Sequence, residues 1–78
     1  MRVNMNERIE INPDVHFGKP VIRGTRVPVT RVLGEVAAGT SFEQIRKQYG
    51  IADEDIRAAV AFANELVSEC SIVATKGA

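Results

Sequence analysis

FEQIRKQYGIADEDIRAAV, residues 42–60, decides how this chain folds. Ile45 and Tyr49 lie four residues apart and mark the inner face of a short helix over 42–49. Ser41, with Gln44 three positions later, is a capping-box start for it, and Gly50 is its stop. Asp53 can cap a further helix, and Glu54 and Asp55 suit that helix's positive N-terminal end. Downstream, Ile56, Ala59, Val60, Ala63, Leu66, Val67 and Cys70 form one wide apolar stripe over about four turns. Two helices around a Gly-centred corner predict helix-turn-helix geometry, with Ile45, Tyr49, Ile51, Ile56 and Ala59 as its shared core. Arg46 departs from that pattern, which favours a small residue for close helix approach; its long stem can snorkel outward instead.

Upstream, Val29, Val32, Leu33 and Val36 recur at helical spacing, and Ala37 extends the stripe. They predict a first helix over roughly 28–38, ended by Gly39 at its C′ position. The preceding stretch HFGKPVIRGTRVPV, residues 16–29, holds two glycines and two prolines and no acid. Gly18 permits an unusual backbone angle, and Pro20 keeps Lys19 extended. Gly24-Thr25 fits the two-residue loop of a type II′ hairpin, which would set Arg23 beside Arg26. Pro28 either marks a sheet edge or opens the first helix. Earlier still, Arg8–Ile11 alternates as a short strand with Ile9 and Ile11 on one side, followed by the Asn12-Pro13-Asp14 turn signal. The expected fold is mainly α: a three-helix helix-turn-helix core with a short N-terminal β-strand/hairpin segment. It forms a single domain over 1–78, with flexible ends at 1–7 and 71–78.

The chain has 78 residues, and a domain of that size buries only roughly 60% of its unfolded surface, so self-association is a reasonable expectation. Its 45% apolar content suits a globular protein. Ten basic and ten acidic residues cancel, which argues against a generic polyanion binder. The cancellation hides a gradient. Lys19, Arg23, Arg26 and Arg31 give residues 16–31 a charge of +4, whereas five acids against Arg57 alone give residues 53–69 a charge of −4. Such a domain can meet a complementary partner or a second copy of itself. The lone Cys70 forms no internal disulfide, no run approaches the ~20 apolar residues of a membrane span, and the first residues lack a signal-peptide core. A cytoplasmic protein without a membrane segment is expected.

Catalytic chemistry finds no constellation. His16 is the only histidine; Asp14 beside it makes a metal pair that lacks further ligands. Gly18-Lys19 resembles the end of a phosphate loop, but Pro20 stands where that loop needs Ser or Thr. Asp53, Glu54 and Asp55 diverge by ~100° per residue and are accounted for by helix capping. Cys70 has no activating base and reads as a core or interface residue. No catalytic residue, metal site or cofactor is expected. For nucleic acid, the helix entered at residue 53 offers one good base reader, Arg57, which Asp53 is spaced to pair, and its three acids would face phosphates. Lys19, Arg23, Arg26 and Arg31 are the better contacts. Phe62 has two readings: part of a wide buried face, or, with Leu66 and Cys70, a contact to a second chain.

The stretches INPDVHFGKPVIRGTRVPV and AAGTSFEQIRKQYGIADEDIRAAVAFA together resemble the bacterial and archaeal family called domain of unknown function 433 (DUF433), over roughly residues 9–67. The most specific part is GKPVIRGTRVPV, residues 18–29. The resemblance implies a homeodomain-like fold and a VapB-like antitoxin: a small regulatory binder, without catalytic residues, that neutralises a PIN-like ribonuclease toxin and represses its own operon through DNA. On that basis HFGKPVIRGTRVPV is chiefly fold punctuation, with Gly18, Gly24 and Gly50 as structural turns, and secondarily a basic surface. The leading expectation is a homodimeric antitoxin; the alternatives are a DNA-binding transcriptional regulator and a dimerisation module with no nucleic-acid role.

Overall fold

The computed structural model describes residues 7–70; the flexible ends expected at 1–7 and 71–78 lie, except for Glu7, outside the described residues. The elements run β1 (Ile9–Glu10), a left-handed turn (His16–Gly18), β2 (Val21–Ile22), α1 (Val29–Ala37), α2 (Phe42–Tyr49) and α3 (Asp53–Glu69). The mainly helical, three-helix expectation holds, with a two-stranded antiparallel sheet at the N-terminal end.

That sheet is short but fully used. Ile9 pairs with Ile22 and Glu10 with Val21, which points both isoleucines into the core. The strand expected through Ile11 stops at Glu10. Ile11 is therefore half-exposed rather than beside Ile9, because the Asn12–Pro13 turn takes over the chain. Residues 27–28 run along the other edge of β2: the Ile22 N–H donates to the Val27 carbonyl at 2.9 Å, and Val21 bridges Pro28. The turn between them differs from the type II′ expectation. The Thr25 N–H donates to the Ile22 carbonyl at 3.0 Å, so Arg23 and Gly24 are the central pair, and Gly24 supplies the positive φ of +80°. This is the pattern of a type II turn, which needs Gly at its third residue. Pro28 fulfils both of its alternatives, bridging at the edge and forming the N-cap of α1.

The helix ends follow local chemistry. After α1, the Thr40 N–H reaches the Glu35 carbonyl (3.0 Å) and the Gly39 N–H the Val36 carbonyl (3.1 Å), a Schellman closure around Gly39. Ser41 Oγ caps α2 by accepting the Gln44 N–H at 3.1 Å. Gly50 (φ +67°, ψ 37°) ends α2 in the left-handed region, and three residues later α3 begins, so Tyr49-Gly50-Ile51 is a corner. Asp53 is not the cap of α3. Ala52 occupies that place, and Asp55 reaches back to accept the Ala52 N–H at 3.0 Å. Asp53, freed from capping, pairs with Arg46 across the corner rather than with Arg57. Arg46 thus fits the tight corner by turning its guanidinium to an acid at the surface.

The core draws Ile9 and Ile22 from the sheet, Val29 and Val32 from α1, Ile45 from α2, Ile51 from the corner and Ile56, Ala59 and Phe62 from α3. The phase of α3 corrects the expected orientation. Phe62 is 3% exposed, whereas Val67, expected inward, is 71% exposed and Val60 is 41% exposed. The stripe is wider than the surface that covers it: α1, α2 and β1 all pack against α3, and Phe62 is among the side chains buried there. The edge with the larger apolar side chain is the one removed from water. An Arg8–Asp55 ion pair at 2.9 Å ties the start of β1 to the first turn of α3.

Candidate nucleic-acid interface

The functional candidates fall into three groups once folded. Arg23 is structural. Its guanidinium donates to the backbone carbonyls of Glu7 and, at 3.3 Å, Ile9, fastening the β2 turn over β1. That use engages two of its five N–H donors and holds the guanidinium against the backbone. Arg57 is exposed on α3, beyond the acidic entrance. Lys19, Arg26 and Arg31 are exposed and cluster around one feature, the turn at His16–Gly18. Lys19 and Arg26 form no ion pair with the described residues.

That turn has the most unusual backbone in the protein. His16 (φ +53°), Phe17 (φ +57°) and Gly18 (φ +81°) are successive left-handed residues. Gly18 adopts that angle freely, but for His16 and Phe17 it costs about 1–2 kcal/mol each. Three hydrogen bonds hold the loop: Val15 N–H to Asn12 O (2.9 Å), Gly18 N–H to Val15 O (3.1 Å) and Lys19 N–H to His16 O (3.1 Å). The turn stands Phe17 out at 95% exposure, so its ring recovers none of that strain by burial. Sequence inspection missed Phe17. Two successive non-glycine residues in the left-handed region carry no local signal, although the adjoining Gly18 hinted at an unusual turn.

Phe17 is the ridge between two open depressions. One, of about 570 Å³, lies against α1 and is lined by Lys19, Pro28, Thr30, Arg31, Gly34 and Glu35, among others. The second, of about 430 Å³, is lined by Pro13, Asp14, His16 and Arg26 as well as Phe17. Two acids therefore stand near the three cations. Asp14 is exposed. Glu35 is engaged on both oxygens: the Tyr49 hydroxyl donates to Oε2 at 2.7 Å and the Thr40 hydroxyl to Oε1 at 2.8 Å. These hydrogen bonds, Tyr49's first, hold the Glu35 carboxyl below its ordinary value, with Arg31 adding a smaller pull and partial desolvation opposing. The same contact with Glu35 raises the Tyr49 phenol.

The remaining candidates separate. Phe62 lies in the core, so the contact to a second chain loses its aromatic anchor; Leu66 is half-buried against that core and Cys70 is exposed. Gly24 and Gly50 sit where positive φ is required, as does Gly18. Among the described residues no group of three or more His, Cys, Asp or Glu side chains could hold a metal ion, and no helix is long and apolar enough to cross a membrane.

A small three-helix domain with a basic edge and a projecting aromatic turn is the class these observations define. The chain belongs to the family described as "Protein of unknown function (DUF433)", which matches residues 9–63. It is 45% identical over 58 residues to "Uncharacterized protein y4eO" of Sinorhizobium fredii, covering 73% of this chain and 26% of that protein. It is 33% identical over 52 residues to "Putative antitoxin VapB45" of Mycobacterium tuberculosis, covering 67% of this chain and 22% of that one. The chain thus spans about a quarter of the length of these two relatives. In fold it is similar to a DUF433 member from Anabaena variabilis solved at 2.00 Å, with a TM-score of 0.73 and 28% identity over 82% of this chain and 64% of that one.

Proposed function

We propose that this chain is a non-enzymatic, antitoxin-like regulatory domain whose partner is a PIN-like ribonuclease toxin. The observation that carries the reading is its 33% identity, over two thirds of its length, to the protein named "Putative antitoxin VapB45". The separation of a basic edge at 19–31 from an acidic α3 is consistent with a binding domain that meets a charged partner. Co-expression with the product of the adjacent gene, followed by affinity capture of this chain, tests it. A stoichiometric complex that suppresses ribonuclease activity is the expected result; no complex, or a complex with undiminished nuclease activity, refutes the reading. Light scattering on the free chain and on the complex tests the accompanying proposal that the chain is a homodimer.

A second reading, regulation through DNA, is favoured by the α2–α3 corner together with the exposed Lys19 and Arg26. The acids that open α3 still oppose its use as a groove reader. Asp53 and Asp55 are each ion-paired, but Glu54 stays exposed, and all three lie in the turn that would meet phosphates. Any nucleic acid is therefore assigned to the basic edge. Salt-dependent binding that weakens on Arg26→Ala and not on Arg57→Ala is the expected behaviour.

A further inference from the structure

From the turn at residues 16–18 we infer a single-stranded nucleic-acid site in which Phe17 is a stacking platform for one unpaired base and Lys19, Arg26 and Arg31 hold the flanking phosphates. The inference rests on the basic-edge reading above and adds to it the residue, the mode of contact and the form of the ligand. Three observations carry it. Phe17 is almost fully exposed, so a π-face is open to a planar partner. Its backbone is held in a conformation that a phenylalanine rarely adopts, between two similarly left-handed neighbours, so the turn sets the direction in which the ring leaves the chain. The depressions on either side of the ring are lined by Lys19 and Arg31 on one flank and Arg26 on the other. A strand crossing the ridge would meet a cation before and after the stacked base.

The local acids shape the choice of ligand. Glu35 has both oxygens occupied by hydroxyl donors and sits within electrostatic reach of Arg31, so it offsets part of that cation's charge. Asp14 lines only the Arg26 flank. With Lys19 unpaired among the described residues, the three cations can contact two or three phosphates, but against Asp14 and Glu35 they leave the edge a net charge of only about +1, too little for a firm grip on a duplex backbone. The aromatic face must then supply much of the affinity, and only an unstacked base offers it a partner. An aromatic ridge with cations on both sides is the arrangement single-strand binders use, without sequence preference.

Fluorescence anisotropy on the full chain tests the site, using labelled 12-nucleotide oligo-dT and oligo-rU and a 20-base-pair duplex between about 50 and 200 mM salt. The expected results are tighter binding of one or both single strands than of the duplex, and a log–log salt slope near −1.4 to −2.1 for two or three phosphates. Phe17→Ala should weaken binding about 5- to 100-fold with the slope unchanged, and Phe17→Trp should retain the wild-type affinity. Lys19→Ala and Arg31→Ala should each make the slope shallower by about 0.7. The separate arms show whether deoxyribose or ribose is preferred. Wild-type affinity in Phe17→Ala, no binding of either single strand at 50 mM salt, or a duplex preference indifferent to Phe17 overturns the inference. So does loss of nuclease capture by Phe17→Ala with oligonucleotide binding intact, which would reassign the ring to a protein interface. Because co-purification with a nuclease is read independently, the site can fail while the antitoxin reading stands, and the reverse.

Discussion

Replacing Phe62 with alanine tests the packing of α3 most directly. The side chain is 3% exposed and belongs to the core formed with Val29, Val32, Ile45 and Ala59. Truncating a buried phenylalanine removes its transfer free energy and leaves a cavity, a loss of about 3–5 kcal/mol. A 78-residue domain has roughly 4–12 kcal/mol of stability in total, so the substitution removes a large fraction of it. With a urea m-value of about 1 kcal/mol/M, the midpoint falls by about 3 M or more. Thermally, the melting temperature falls by about 12 °C or more, at ~4 °C per kcal/mol. The control is Val67→Ala on the opposite edge of the same stripe. At 71% exposure it should shift the urea midpoint by less than about 0.5 M. Far-UV circular dichroism during urea titration reads both variants at low concentration, where any weak dimer is dissociated. Equal losses in the two variants, or a loss under about 1 kcal/mol in Phe62→Ala, would refute the phase of α3 and return Phe62 to an outward face.

Gly50→Val should cost about 1–2 kcal/mol in urea unfolding. A Cβ there meets no atom within 4 Å, so the whole loss comes from forcing φ +67° on a branched residue, and Gly50→Asn should recover most of it. Arg23→Ala should lower stability by about 1–2 kcal/mol through its lost bonds to the Glu7 and Ile9 carbonyls, while the salt slope of oligonucleotide binding stays unchanged. The Glu35–Tyr49 contact predicts pH effects at both extremes. Glu35 has a folded pKa below 4.5, so its contribution is present above that value and disappears as pH falls through the lower folded value. Tyr49 has a folded pKa above 10.0, so its contribution is present below that value and disappears as pH rises through the higher folded one. Because each shift is caused first by the other residue, urea midpoints measured across pH should show Glu35→Gln and Tyr49→Phe each flattening both the acid and the alkaline limb, with both limbs unchanged as the refuting result.

Much of the fold was legible in the residues. Ser41 with Gln44, Gly39 and Gly50 mark helix ends through backbone chemistry that acts within four residues, and each mark appears where expected. The spacing of Val29, Val32 and Val36 announced α1 in the same way. Asp53 shows where local logic stops: an acid before a helix can cap it or pair with a distant cation, and here Arg46, seven residues earlier, lies within its reach. The type II turn is a similar case. Gly24 permits either turn type, and the hydrogen-bond register of β2 against residues 27–28 selects one.

By itself the sequence determined what short-range forces control: three helices, a left-handed corner at Gly50, and a basic segment at 19–31 set apart from an acidic helix. Only the tertiary structure decided which edge of α3 is buried, because that depends on where β1, α1 and α2 pack against it. It also decided that Arg23 serves the backbone while Phe17 faces solvent. The first outcome follows from where the β2 turn lies relative to Glu7 and Ile9, more than ten residues away, a distance over which sequence spacing carries no geometric information; the second follows from a left-handed run at His16–Gly18 that its two non-glycine residues do not announce.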